Sequence, residues 1–304
     1  MKKALALILT ASLLTGVLTA CGSSEAQTDA AETTTEEAAA EETAAAEETA
    51  DTDAQAETGD LQVITVAATA VPHAEILEAA KPILAEQGYD LQITVFDDYV
   101  QPNEVVEAGD IDCNYFQHIP YLNSYNEERG THLVSVGEIH YEPIGIYAGT
   151  ESDLSNIPDG ADIAIPNDTT NEARALLILQ DNGIITLKEG AGIDATINDI
   201  AENPHNINFV EMEAAQVSKV LSEVAFAVIN GNYALDAGLN AQTDALASET
   251  SDSLAAQTYV NVVVVKEGNE DNEGVKALVN VLKSDDIKKF IEETYEGAVV
   301  PFEG

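Results

Sequence analysis

The chain has 304 residues and a formal net charge of −43, with 55 acidic against 12 basic side chains. So acidic a balance excludes a nucleic-acid-binding role and direct adhesion to an anionic lipid surface. Two cysteines leave no room for a thiolate metal site.

Lys2 and Lys3 precede an uncharged run from Ala4 to Leu18, the pattern of a secretory signal peptide over residues 1–20, too short for a permanent span. Leu18-Thr19-Ala20-Cys21 resembles the lipobox of bacterial lipoproteins, which implies acylation of Cys21, palmitate included, and a lipid-anchored mature chain on the extracytoplasmic face of the cell membrane. Losing Lys2 and Lys3 takes the formal charge from −43 to −45. Residues 21–60 continue as Ala, Thr, Glu, Asp and Ser, without aromatic, Ile, Leu, Val, Lys or Arg residues after the cysteine. Such a segment buries too little apolar surface to offset its ordering entropy, so it reads as a disordered, self-repelling tether. With Cys21 acylated, Cys113 has no disulfide partner and is expected to be buried.

From residue 61 onward, strand-like and helix-like segments alternate. Strands are expected at Leu61–Ala68, Leu91–Phe96, Ile111–Phe116, Val134–Ile139 and Ile144–Ala148. Helices are expected at Pro72–Gln87, Pro102–Ala108 and Ile119–Glu128. Ala161–Ile165 reads as a strand that stops at Pro166, and the polar turn Asn167–Thr170 leads into a helix ending near Asn182-Gly183. Thr169 and Glu172 have the spacing of a capping box. Further strands are expected at Ile207–Glu211, Val224–Ile229 and Tyr259–Val265, and further helices at Ala214–Leu221, Glu273–Leu282 and Asp285–Tyr295. This alternation implies an α/β fold with parallel or mixed sheets flanked by helices.

In such sheets ligands bind beyond the carboxyl ends of strands. Asn114, Asn167 and Asn230 fall at such ends, each also explicable as a turn former. Arg174 stands out in a base-poor chain: near a helix start it opposes the macrodipole unless an anion lies beside it.

Several long motifs carry a resemblance. Pro72-His73-Ala74-Glu75-Ile76-Leu77, Asp98-Tyr99-Val100-Gln101-Pro102-Asn103, Asn114-Tyr115-Phe116-Gln117-His118-Ile119-Pro120-Tyr121, Glu142-Pro143-Ile144-Gly145, Ile165-Pro166-Asn167-Asp168 and Val228-Ile229-Asn230 resemble the NlpA/MetQ lipoproteins, the substrate-binding lipoproteins of methionine ABC importers. The resemblance spans essentially everything after the tether and departs at Cys113 and in the loop 242–257. It implies a two-lobe periplasmic-binding-protein fold, type II-like, with a ligand cleft between lobe I (61–143 plus 259–304) and lobe II (144–258). It implies a monomer that captures L-methionine and delivers it to an ABC permease and its ATPase, with no cofactor and no metal.

A free amino acid presents a carboxylate, an ammonium and a side chain. Arg174 suits the carboxylate in bidentate geometry, Asn230 and then Asn261 suit the ammonium, and Tyr99, Phe116, His118 and Tyr121 suit a thioether, with Asn114 close by. Packing accounts equally for Phe116, and better for Tyr121 and His73. D-methionine, another apolar amino acid and a methionine-containing dipeptide remain open. The sequence holds no HExxH, GxSxG or P-loop, so no enzyme is expected; a hydrolase or a surface interaction protein is the remoter alternative.

Overall fold

Short apolar runs and amphipathic helices build two sheets, each with its own core, in the computed structural model, which describes residues 61–250 and 257–303. The expected signal peptide, the acylation at Cys21, the tether and part of the loop 242–257 lie outside the described residues. In chain order the first lobe begins with β1 (Gln62–Ala68), α1 (Glu75–Glu86), β2 (Tyr89–Val95), α2 (Gln101–Ala108), β3 (Cys113–His118), α3 (Ile119–Arg129) and β4 (Leu133–Tyr141). The second lobe holds β5 (Gly145–Ala148), β6 (Asp162–Pro166), α4 (Thr169–Asp181), the β7 (Thr186–Leu187) and β8 (Ile200–Glu202) pair, β9 (Asn208–Met212), α5 (Ala214–Val217), β10 (Phe226–Ile229), α6 (Gly231–Asp236) and β11 (Ala245–Ser248). The chain then returns through β12 (Val260–Lys266), α7 (Glu273–Leu282), α8 (Asp285–Tyr295) and β13 (Val300–Pro301).

The six-stranded sheet has the order β13-β4-β12-β3-β1-β2, and the five-stranded sheet the order β11-β5-β10-β6-β9. Both are mixed: β1 runs parallel to β2 and β3, while β12 lies antiparallel to β3 and β4. In the second sheet β6 is parallel to β9 and β10, and β5 is antiparallel to β10. β3 is central, and all six of its residues are buried because helices cover both faces. The first core gathers Ile64, Val66, Leu77, Tyr115, Val263, Leu278 and Ile291; the second gathers Ile146, Ile163, Leu176, Leu179, Phe226 and Val228. The chain leaves the first sheet after Tyr141 and enters the second at Gly145; it goes back between Ser248 and Val260.

The helix ends show where local reading holds and where it fails. α7 and α8 keep the expected bounds, capped by Asn272, which accepts from Gly274 N at 2.9 Å, and by Ser284. For α4 the expected capping box does not form. Asp168 is the N-cap, accepting from Asn171 N at 3.1 Å, and Glu172 instead accepts from Ile197 N at 2.8 Å, 25 residues along the chain. A tertiary donor outcompetes the local one. Arg174 therefore sits in the second helical turn, beyond the reach of the first-turn dipole argument. The helix expected over Ala214–Leu221 stops after Val217 and tightens into a 3₁₀ turn at Ser218–Val220. The short elements α6, β7, β8, β11 and β13 carry too few residues for a periodic signal. Cys113 is buried, as expected.

Gly149, just after β5, has no room for a side chain: a β-carbon there would stand 2.2 Å from Val224 O and 2.6 Å from Leu221 O. Both obstacles are backbone, and Gly149 N itself donates to Ala225 O at 3.0 Å, so neither side can yield. Gly149→Ala should destabilise the second lobe by about 2–3 kcal/mol in urea unfolding; an unchanged midpoint would contradict this packing.

Candidate functional site

Residues of both lobes line a small cavity, with about 320 Å³ of empty space when the solvent at its mouth is included. Tyr99, Phe116, Gln117, His118 and Tyr121 line it from the first lobe, Asn171, Arg174, Asn230, Gly231 and Asn232 from the second, and Glu142 and Asn261 beside the crossings. Of the residues singled out in the sequence, seven meet here. Asn114 does not. It is fully buried behind the wall, donating to Asn103 Oδ1 at 2.8 Å and Pro102 O at 3.2 Å, and its Oδ1 accepts from Gln117 Nε2 at 2.9 Å. Because β3 runs from Cys113 to His118, Asn114 lies near its amino end and not at the expected carboxyl end, where it serves to hold Gln117. Asn167 is exposed, lining an outer recess with Asp98, Asp168 and Glu213.

Arg174 is buried but already engaged. Its Nε donates to the two Glu249 oxygens at 3.0 and 3.2 Å, and its Nη2 to Glu249 Oε2 and to Glu142 O, the latter at 2.8 Å. The guanidinium lies 4.3 Å from the Tyr259 ring centroid. Burial pulls its pKa down and Glu249 more than reverses this, leaving the group firmly charged. The fork expected to face a ligand is thus taken by Glu249, and Tyr141 also bonds the guanidinium.

Asn230 is positioned by a chain whose polarity can be derived. His118 Nδ1 accepts from Tyr121 N at 3.1 Å, so the ring proton sits on Nε2 and is donated to Asn171 Oδ1, 3.1 Å away. Asn171 Nδ2 donates to the Asp168 carboxylate at 2.8 Å, which fixes the Asn171 amide the same way. Asn230 must then present Nδ2 to Asn171 Oδ1, at 2.7 Å, and this leaves its Oδ1 turned away, buried and without a partner. A buried acceptor left unmade costs roughly 1–3 kcal/mol, so a donor entering the cavity recovers that amount. Burial, reinforced by Arg174, lowers the His118 pKa to about 3, in keeping with the neutral ring this chain requires.

Glu142, which the sequence did not single out, is 5 % exposed. Its Oε1 accepts from His140 Nε2 at 2.7 Å and lies 3.3 Å from His73 Nε2, which also donates to Asn261 Oδ1 at 3.0 Å. Each ring's Nδ1 is met by a hydroxyl, Thr69 at 2.8 Å for His73 and Tyr115 for His140. Burial lowers the pKa to about 4 for His73 and about 3 for His140, which favours neutral rings; the carboxylate on Nε2 then places the proton there and leaves Nδ1 to accept from the hydroxyl. Burial also raises the Glu142 carboxyl, against the pull of His73 and Arg174. These three residues have metal-ligand chemistry with ligand atoms within 4.8 Å of one another. The 2.7 Å contact is nevertheless a hydrogen bond, since two ligands on a tetrahedral zinc stand roughly 3.3 Å apart.

The remaining wall is aromatic. Tyr99 packs at 5.9 Å from Phe116, 5.6 Å from Tyr121 and 5.0 Å from Tyr233, ring centre to ring centre. Tyr99 also reaches across the cleft to donate to Asn232 Oδ1 at 2.5 Å, and Tyr233 reaches back to Asp97 O at 3.0 Å. The site therefore offers a buried guanidinium at its wall, the acceptors of Asn230 and Glu142, and an apolar, polarizable wall. The sequence signal for Glu142, Asn171 and Asn232 is weak, because each acquires its role from partners far away in the chain.

The sequence pattern of NlpA lipoproteins matches residues 64–303. The methionine-binding lipoprotein MetQ of Bacillus subtilis is 41% identical over 250 residues, covering 81% of this chain and 90% of that protein. A crystallised protein from Ruminococcus gnavus shares 66% identity with a TM-score of 0.79, over 80% of this chain and all of its own. A nutrient-binding protein from Burkholderia cenocepacia, solved with methionine bound, shares 42% identity with a TM-score of 0.74, covering 78% of this chain and 99% of its own.

The three buried histidines predict acid sensitivity. Their folded pKa values of about 4, 3 and 3 lie below the ordinary 6.5, so below pH 6.5 the unfolded chain binds more protons and stability falls as pH falls. The slope is roughly 1.4 kcal/mol per pH unit per histidine. Glu142 acts in the opposite sense, because a raised carboxyl pKa means that protonation favours the folded chain. Calorimetric Tm should drop steadily from pH 6.5 to 4.5; a flat profile would show that these rings are not held neutral.

Proposed function

Because the chain belongs to the NlpA lipoprotein family, a family of substrate-binding proteins, we propose that it captures L-methionine between its lobes and delivers it to an ABC permease driven by its ATPase. The protein acts as a monomer, anchored outside the cytoplasmic membrane through acylated Cys21, the reading that the Leu18–Cys21 motif supports. The lobe limits of 61–143 plus 259–304 and 144–258 belong to the same proposal, supported by the membership of the two sheets.

The observation that carries the reading is the partnerless Asn230 Oδ1 on a residue lining a cavity that Arg174 and an aromatic wall also line. The ligand carboxylate pairs with Arg174 end-on instead of bidentate, because Glu249 occupies the fork. The ammonium donates to Asn230 Oδ1, with Asn261, whose Oδ1 already accepts from His73, as the second acceptor. Tyr99, Phe116, His118 and Tyr121 surround the thioether, where sulfur–aromatic contacts contribute roughly 0.3–1.5 kcal/mol each. One feature favours a dipeptide reading: the outer recess shares Tyr99 and Tyr121 with the cavity, so a longer ligand has somewhere to extend.

Isothermal titration of the mature protein with L-methionine, D-methionine, leucine and a methionine-containing dipeptide decides the substrate. L-Methionine should bind tightest; heat from another ligand and none from L-methionine would overturn the substrate assignment. Arg174→Lys keeps a cation opposite Glu249, avoiding the strong destabilisation that an unpaired buried carboxylate would bring. It should weaken methionine about tenfold or more, as should Asn230→Ala. Unchanged affinity in both variants would return these residues to a structural role.

A further inference from the structure

We propose that the recess between α4 and the returning crossing is a second binding site, for a small uncharged molecule with an apolar body and a hydrogen-bond acceptor. The recess holds about 1010 Å³ of empty space when the solvent at its mouth is included. Its floor is apolar: α4 contributes Leu177 and Ile178, which belong to the packing of the second core. Its lip is Ile193, from the stretch between β7 and β8, a large apolar side chain left 44 % exposed. Glu249 and Tyr259 of the crossing close the inner end, together with Arg174.

One polar atom in this wall is unmatched. Tyr259 lines the recess and not the amino-acid cavity, and its hydroxyl is buried with no hydrogen-bond partner among the described residues. The ring is held against turning to find one. The Arg174 guanidinium stacks 4.3 Å from its centroid, and His118 meets it edge-on at 5.1 Å. Burial raises the phenol pKa, Arg174 opposes this, and the Glu249 and Asp194 carboxylates add to the rise. Asp194 adjoins Ile193, so the hydroxyl end of the ring lies towards the lip of the recess. A buried donor left unmade is costly, and an acceptor that enters past Ile193 removes that cost.

The surrounding charges narrow the ligand class. Glu249 and Asp181 both line the recess, and the guanidinium beside them is committed to Glu249, so an anion finds two carboxylates and no free cation there. An ammonium offers the phenol no acceptor. An uncharged acceptor on an aliphatic or aromatic body fits both demands. Occupancy has a consequence for the cleft, because Arg174 lines recess and cavity alike. Glu249 also holds Tyr141 and Ile144 of the outgoing crossing. A molecule packed against this pair steadies the arrangement of the crossings and strengthens capture in the cavity, and the amino acid strengthens binding in the recess by the same factor. This coupling rests on the amino-acid-binding reading; the site itself does not.

Methyl-detected NMR of the mature protein, labelled at Ile and Leu, tests the site with hexanamide as the probe and hexanoate as its anionic counterpart. Hexanamide should move the Leu177, Ile178 and Ile193 signals saturably, with L-methionine present or absent, and hexanoate should bind about tenfold more weakly. Tyr259→Phe keeps the ring on Arg174 and removes only the unmatched hydroxyl. It should weaken hexanamide about fivefold or more without lowering Tm. Ile193→Asp, at an exposed position, should abolish the shifts at Leu177 and Ile178 and leave methionine affinity without the probe as in the wild type. Methionine titrated calorimetrically into protein saturated with hexanamide should bind about fivefold tighter. Absence of a saturable shift at the three residues, or wild-type hexanamide affinity in either variant, overturns the site and leaves the hydroxyl to water. Displacement of hexanamide by methionine places the probe in the cavity and overturns the site as well. Hexanamide bound in the recess with methionine affinity unchanged overturns the coupling. A protein that binds no amino acid defeats the parent reading, while the NMR series still decides the recess.

Discussion

The buried pair between Arg174 and Glu249 governs both the shape and the chemistry of the cleft. Glu249 follows β11 on the returning crossing, and besides the guanidinium it accepts from Tyr141 OH at 2.6 Å and Ile144 N at 3.1 Å, both on the outgoing crossing. Arg174 in turn donates to Glu142 O and stacks on Tyr259. One ion pair therefore ties together the two strands that pass between the lobes. Two charges taken from water repay their desolvation only when nearly every donor and acceptor is matched, and here the matching groups come from four separate stretches of chain. Any change at the pair is felt at the crossings and at the cavity wall together.

From this knot the polar lining follows by elimination of alternatives. Each neutral histidine has a single permitted tautomer because one ring nitrogen faces a fixed donor or acceptor, and each amide next to it inherits an orientation. The sequence His118, Asn171, Asn230 ends in a buried acceptor without a partner, on a residue that lines the cavity. The parallel set built from His73, His140 and Glu142 ends in a carboxylate. The protein thus sets two acceptors and one cation by constraints that begin one or two residues behind the visible surface. Desolvated networks of this kind are expensive to leave half satisfied, which makes the site both specific and sensitive to acid.

Much of this was legible in the sequence, for definite reasons. Strand and helix alternation shows because buried strands are apolar and the last two helices carry a clear apolar stripe, so that Glu273–Leu282 and Asp285–Tyr295 were readable to the residue. Arg174 and Asn230 stood out because a cation is rare in this chain and an amide at a strand end is informative in α/β sheets. Other features were not legible. Glu172 looked like half of a capping box, but it turns to Ile197 N, a donor whose proximity only the fold creates. Glu142 looked like one acid among many, since its meaning depends on two neutral rings at positions 73 and 140. Asn114 shared the expected strand-end position of Asn230, but β3 begins one residue before it and side-chain packing sets it behind the wall.

The reciprocal tyrosines have a kinetic meaning of their own. Tyr99 of the first lobe donates to Asn232 of the second, and Tyr233 of the second donates to Asp97 O of the first. The Tyr233 bond joins residues that do not line the cavity, so the free energy it contributes to closure is the same whatever the ligand's side chain. Selectivity then belongs to the cavity lining and dwell time to the clasp, two properties that can drift apart. A chain of this design can change how long it holds its cargo without changing which cargo it prefers.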